Sequence, residues 1–263
     1  VGEIMAQFNS ELMINNCNIY QMYGYKSVLI KGSEERVFGA DRSISVESKN
    51  NGLPTSFTIT KNRPSIQIEL IKIDTETKRL KPISANDLRD LSRLMFKNKI
   101  CMLQERNIVY FGFFTNGTNY FNTANQGYIT LTFELVSPYC YSPIQTEHFW
   151  IVTKKEFALR NVATADEMVY PRIKIIGEKN GDVKIKNLTN NNTITIKAVK
   201  ENEEIVLDGE TREIFSLTNK SENMFSRLEY TKDFLYLDYA ENHIVVEGNC
   251  QIEFQYQCPM LIV

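Results

Sequence analysis

Polar and apolar residues alternate through most of this chain, and the period is that of a strand far more often than that of a helix. In "LTFELVSPYCYSP", residues 131–143, Leu131, Phe133 and Leu135 alternate with Thr132 and Glu134, the mark of a strand with one buried face. Pro138 and Pro143 then bracket Tyr139, Cys140 and Tyr141, where a ladder cannot easily continue because proline has no N–H to donate. Upstream, residues 27–30 and 42–46 predict short strands, with the turn-prone Lys31-Gly32-Ser33 between them. Asn50-Asn51-Gly52-Leu53-Pro54 predicts a loop, since Asn and Gly tolerate positive φ and Pro presets a turn. "SIQIELIKID", residues 65–74, predicts a strand whose alternation slips at Leu70-Ile71, as across a bulge. Residues 99–104 and 108–114 predict a strand pair across Glu105-Arg106-Asn107, residues 128–136 a further strand, and the polar segment 116–126 a loop.

One amphipathic helix is written among these strands. Ser84 is a good N-cap, and Asp87 stands where a capping box places its carboxylate. Leu88, Leu91, Leu94 and Met95 recur at helical spacing, with Arg89, Asp90 and Arg93 on the wet side. Lys97 and Lys99 put positive charge near the C-terminal end of the dipole. One helix cannot bury its stripe alone, so it must pack on the surrounding sheet.

Beyond Pro143 the pattern holds strands and tight turns only. Strands are predicted over 169–176, around Val183 and Ile185, around Ile194 and Ile196, and over 205–207, 210–215, 234–237 and 244–247. A last one carries Ile252, Phe254 and Tyr256. Turns fall at 187–192, at Gly248-Asn249, and at Asp208-Gly209, which reads as a two-residue hairpin link. Short strands at this spacing indicate a sandwich or jelly roll. The fold class is therefore mainly β with one α-helix. A mixed α+β domain over residues 1–142 precedes an all-β domain over 143–263.

Composition narrows the function more by exclusion than by indication. The 263 residues are 43% hydrophobic and 11% aromatic, enough for sizeable cores. A net charge of −2 lacks the basic face of a dedicated nucleic-acid binder. No apolar run reaches the roughly 18 residues that span a bilayer, so no membrane insertion is expected, and Val1-Gly2-Glu3-Ile4 does not open a signal peptide. Five scattered cysteines (Cys17, Cys101, Cys140, Cys250 and Cys258) predict reduced, mostly buried thiols in a cytosolic protein, with a Cys250–Cys258 bridge as the one alternative.

Candidate chemistry is sparse. His148 and His243 are the two histidines, each read as structural or solvated. Neither clustered zinc ligands nor a phosphate-binding glycine loop is present. The carboxylate pairs Asp238 with Glu241 and Glu203 with Glu204 read as solvated surface. Sequons at Asn116, Asn187, Asn191 and Asn219 read as chance matches. The expectation is no catalytic, metal or cofactor site, and no enzyme. Tyr139, Tyr141, Phe149 and Trp150 form an aromatic cluster at the domain junction, read as an inter-domain seam in preference to a sugar-stacking platform.

The order of motifs then points further. "SANDLRDLSRLMFKNK", "VYFGFF" and "GYITLTFELVSPYCYS" are followed by "VYPRIKI", "GDVKIKNLTNN", "EEIVLDGETREI" and "FLYLDYAENHIVVEGNCQIEFQY". Across almost its whole length this series resembles the distal tail proteins of long-tailed phages that infect Gram-positive bacteria. One departure is that Ala240 stands in a closing turn where that family usually has glycine. The resemblance implies an N-terminal β-sandwich or split barrel plus helix that builds a ring, and a C-terminal galectin-like β-sandwich. It implies a homo-hexamer at the virion tail tip, assembled in the host cytoplasm. Such a ring would join the tail tube protein to the tail-associated fibre or lysin and to receptor-binding proteins, and DNA would pass its channel without specific binding. It also implies a subunit-clasping arm, placed by position at residues 44–56 and carried by Ile44, Val46, Leu53, Pro54 and the adjoining Phe57. The alternative is a carbohydrate-binding β-sandwich adhesin module recognising the host cell wall.

Overall fold

A computed structural model of the chain describes residues 12–28, 42–48 and 54–262. It is mostly β and divides into two compact units, Val1–Tyr141 with Leu261–Val263, and Ser142–Met260. In the first unit the elements run β1 (Met13–Ile14), β2 (Cys17–Asn18), α1 (Ile19–Tyr23), β3 (Tyr25–Ser27), β4 (Arg42–Ser48), β5 (Pro54–Lys61) and β6 (Ser65–Lys72). Then come α2 (Ala85–Met95), β7 (Cys101–Glu105), β8 (Ile108–Phe121), β9 (Gly127–Leu135) and β10 (Cys140–Tyr141). One curled antiparallel sheet takes the order β2-β1-β7-β8-β9-β6-β3, with β10 adding to β8, while β4 and β5 form a separate two-stranded hairpin.

Helix α2 begins as its sequence dictates. The Ser84 hydroxyl accepts from the Asp87 N–H (3.2 Å), and the Asp87 carboxylate accepts from the Ser84 N–H (2.8 Å), a complete capping box. Leu91 and Met95 are buried and Leu88 and Leu94 half-buried, so the apolar stripe faces inward. Lys72 of β6 pairs with Asp87 and ties the first turn to the sheet. The last turn is held by the Cys101 thiol on the Met95 carbonyl and by the Asn15 amide on the Leu94 carbonyl. A second helix, α1, was not legible. It is only five residues long, capped by the Asn18 side chain at one end and by Gly24 at φ 73 at the other.

Several expectations in this unit are corrected. Segment 116–126 is a loop only over 122–126, because β8 runs on to Phe121 and pairs with β9 as far as Phe121↔Gly127, past a bulge between Phe114 and Asn116. Its polar residues are exposed, so the ladder satisfies the backbone without an apolar face to advertise it. Strand β6 keeps continuous register with β9 through Leu70 and Ile71, with no bulge. Its alternation blurs because Ile68, Glu69 and Leu70 are all buried. The strand expected at 27–30 ends at Ser27, and Ile30, Lys31-Gly32-Ser33 and residues 50–53 lie outside the described residues.

The second unit is a sandwich. Its strands are β11 (Gln145–Ile151), β12 (Lys154–Asn161), β13 (Arg172–Gly177), β14 (Gly181–Asn187), β15 (Asn192–Val199) and β16 (Glu204–Asp208). β17 (Glu213–Ser216), a short 3-10 helix (Met224–Arg227), β18 (Leu228–Tyr230), β19 (Ala240–Glu247) and β20 (Cys250–Tyr256) complete it. One five-stranded sheet is ordered β11-β20-β13-β16-β17 and the other β12-β19-β14-β15-β18. Inward residues of both meet in one core that includes Ile173, Ile175, Ile205, Ile252 and Phe254 from the first sheet and Val183, Ile185, Ile194, Ile244 and Val246 from the second.

Two sequence readings fail here for identifiable reasons. Asp208-Gly209 is not a two-residue link. The Asp208 carboxylate caps a longer turn, accepting from the Glu210 and Thr211 N–H groups, and Arg212 takes the left-handed position at φ 61. Residues 234–237 form no strand apart from a single bridge between Leu237 and Val169. Their carbonyls are taken by asparagine side chains instead: Asn192 donates to Phe234, Asn187 and Asn190 to Tyr236, and Asn161 to Leu237.

Candidate functional site

The hairpin of β4 and β5 is the best candidate for an assembly element. Its register sets Ile44 opposite Ile59 and Val46 opposite Phe57, while Ser43 faces Thr60 and Ser45 faces Thr58. Directly opposed residues, and residues two apart, share a face. One face therefore carries Ile44, Val46 and Ile59, which are 64%, 54% and 42% exposed, and the other carries serines and threonines. Phe57 holds the register position beside this apolar set. Pro54 is the first residue of β5, a place where a strand tolerates a residue without an N–H. Leu53 lies outside the described residues. At the base, Lys61 lies over the Tyr139 ring, 5.1 Å from its centroid, and Asn62 donates to the Ser43 hydroxyl. The sequence reading placed an arm at residues 44–56 with Phe57 and did not include Ile59, which the register sets opposite Ile44.

Three of the four junction aromatics, Tyr139, Tyr141 and Phe149, make ring contacts with Lys61, Phe111 and Phe157. Tyr139 is buried in the first unit, and the Tyr141 ring meets Phe111 edge-on at 5.5 Å with its hydroxyl at Ser137. In the second unit Phe149 stacks on Phe157 at 3.6 Å and meets Phe254 edge-on, joining the sandwich core. Trp150 points the other way along the alternating strand and is 59% exposed.

The histidines and carboxylates singled out in the sequence lie apart, each with its own local partner. His148 pairs with Glu253 (3.3 Å) and His243 with Glu241 (3.4 Å), both on exposed surface. Glu204 pairs with Lys174 (2.9 Å). Glu203 was expected to be solvated and is not: it is 3% exposed and takes both of its carboxylate oxygens to Arg227 at 2.8 Å. The Arg227 hydrogen bonds hold its carboxyl below the usual carboxylate range against the cost of burial, with the Lys200 N–H helping. Asp238 is half-buried, its N–H and carbonyl both satisfied by Asn242. Asn187 is fully buried, which rules it out as a glycan acceptor.

None of the five cysteines is in a disulfide, so there is no Cys250–Cys258 bridge. Burial pushes the Cys140 and Cys250 thiols up to about 11 and raises Cys258 too, which keeps them protonated and inert as nucleophiles. Among the described residues no cluster of His, Cys, Asp and Glu could hold a metal ion, and no helix is long and apolar enough to cross a membrane.

Residues 139–256 match the family described as Phage tail C-terminal domain. None of the curated proteins matches the chain in sequence. Among solved structures, the Dit protein of phage SPP1, described as a paradigm of the hub adsorption apparatus in phages infecting Gram-positive bacteria, superposes with a TM-score of 0.61 at 13% identity, over 94% of this chain and 98% of that one. A chain of the phage P2 baseplate, in its activated conformation with calcium, matches with a TM-score of 0.52 at 10% identity, over 90% of this chain and 91% of that one. Residues 139–256 thus match the model of a phage tail domain family, and the fold resembles that of phage hub and baseplate proteins.

Proposed function

We propose that this chain, whose residues 139–256 match a phage tail domain family, is a non-enzymatic structural protein of the tail tip whose first unit, residues 1–142 in the sequence reading, closes into a homo-hexameric ring. The observation that carries the proposal is the hairpin with one apolar face. A two-stranded ribbon is marginal in water by itself. Burying each exposed Ile or Val against a neighbour contributes roughly 1.5–3 kcal/mol if the burial is complete. The hairpin therefore acts as the arm that clasps the adjacent subunit, and cyclic closure satisfies every copy of the same heterologous contact.

In this reading the ring sits between the tail tube protein and the tail-associated fibre or lysin. The galectin-like second unit offers a mount for receptor-binding proteins. Tape-measure protein and DNA pass through the channel, and a net charge of −2 suits a passage to which phosphates should not adhere. The protein is put together in the host cytoplasm and resides in the virion tail tip.

The test is native mass spectrometry and electron microscopy of the full chain, alone and with its tail tube protein. Six-fold rings are expected. A strictly monomeric species under both conditions would overturn the reading.

A further inference from the structure

The outward face of the sheet β11-β20-β13 carries a second feature, independent of ring formation. Trp150 is the only tryptophan in the chain, and it stands on this face more than half exposed. It borders a cleft of about 310 Å³ shaped chiefly by His148, Lys174, Ile176, Gln251 and Glu253. Register places these side by side: Trp150 faces Gln251, which faces Ile176, and His148 faces Glu253, which faces Lys174.

The polar groups are held in place by neighbours. Gln251 donates its amide to Glu178 at 2.6 Å, Glu253 lies 3.3 Å from the His148 ring, and the Lys174 ammonium lies 2.9 Å from Glu204. Side chains fixed on strands and pinned by such partners are pre-organised for recognition.

We infer that this cleft is a binding site for a neutral saccharide, with Trp150 as the stacking platform. A pyranose ring has a flat C–H face that covers an indole, and a rim of hydroxyls that each donate and accept. The rim here offers both functions: the free carbonyl of the Gln251 amide and the Glu253 carboxylate accept, and the Lys174 ammonium donates. Charge separates this ligand from the other flat ring with a polar edge, a nucleotide. Glu253 lines the cleft, Glu204 pairs with its one lysine and Glu178 with Gln251, so a phosphate-bearing ligand would meet a carboxylate in the cleft and a lysine already neutralised. The cleft size fits a small ligand, whereas a stable protein contact needs about 800 Å² from each partner.

The single tryptophan makes the site its own reporter. The full-length protein is titrated with maltose, lactose and chitobiose while Trp150 emission is followed, and saturation-transfer NMR on each sugar gives a readout that does not need the indole. A saturable emission change with at least one sugar is expected, at a Kd in the range of about 0.1–10 mM. Trp150→Ala should abolish the NMR signal, and Gln251→Ala should weaken binding about tenfold, with both variants melting as the parent does. No saturable change with any of the three sugars overturns the inference. So does a Trp150 that acrylamide reaches in the monomer but not in the assembled ring, since the face would then be a protein contact. Ring formation is scored separately by mass, so failure here leaves the ring reading untouched.

Discussion

Single residues carry strain and charge that no strand pattern reveals. Ala240, which takes the place of a glycine common to the resembled family, sits at φ 71, in the left-handed region. Alanine there costs about 1–2 kcal/mol relative to glycine, while glycine adds about 0.4–1 kcal/mol of unfolded-state entropy. Ala240→Gly is therefore expected to stabilise the second unit by about 0.5 kcal/mol in urea denaturation, and a loss of stability would show that the turn is held some other way. The turn persists because Asn242 grips it, accepting from the Asp238 N–H and donating to the Asp238 and Ala240 carbonyls. Glu203 gives the larger effect. Arg227, besides pairing with Glu203, donates to the Lys197 and Ala198 carbonyls and to Glu222. Glu203→Ala leaves this nearly buried guanidinium short of its main counter-charge and should cost about 3–5 kcal/mol, seen as a lowered denaturation midpoint of the second unit with an unchanged slope.

At the scale of elements, the parts that were legible are those whose local chemistry and burial agree. Helix α2 was readable because Ser84 and Asp87 form its cap and Leu91 and Met95 its buried stripe. Leu91→Glu should unfold the first unit, by about 3–5 kcal/mol, since it buries an unpaired charge. An unchanged melting curve would contradict the packing. The cap also makes a pH signature. Burial opposes ionisation of Asp87, but the Lys72 pair and the Ser84 hydrogen bonds prevail and hold its carboxyl down at about 2, below the ordinary 3.8. The contribution is thus fully present above the unfolded value and lost as pH falls from about 4 to 2. Asp87→Asn should remove that part of the acid dependence and about 1 kcal/mol of stability at neutral pH, a figure reduced for solvent screening. Illegible elements were those where the backbone partner is not a patterned strand. The outer half of β8 pairs through exposed Thr and Asn residues, and 234–237 looks apolar enough for a strand yet binds asparagine side chains. The β4–β5 hairpin was half legible: Ile44 and Val46 alternate visibly with serines, but only the register brings Ile59 beside them.

At the scale of the whole molecule, the two units should respond differently to assembly. If the β4–β5 hairpin clasps a neighbouring copy, association stabilises the first unit by mass action and leaves the core of the second untouched. The apparent unfolding midpoint of the first unit should then rise with protein concentration, while that of the second stays fixed. Ile44→Asp with Ile59→Asp places two carboxylates on the apolar face, and both residues are already exposed in the isolated chain, so the fold should survive the change. In an assembled ring the same pair would have to bury unpaired charge. The double variant is therefore expected to be monomeric by mass, to melt as the dilute parent does, and to lose the concentration dependence. A variant that still forms rings would show that the apolar face is covered by something other than a neighbouring subunit. A variant that melts lower even when the parent is fully dissociated would show that the face is covered within its own chain.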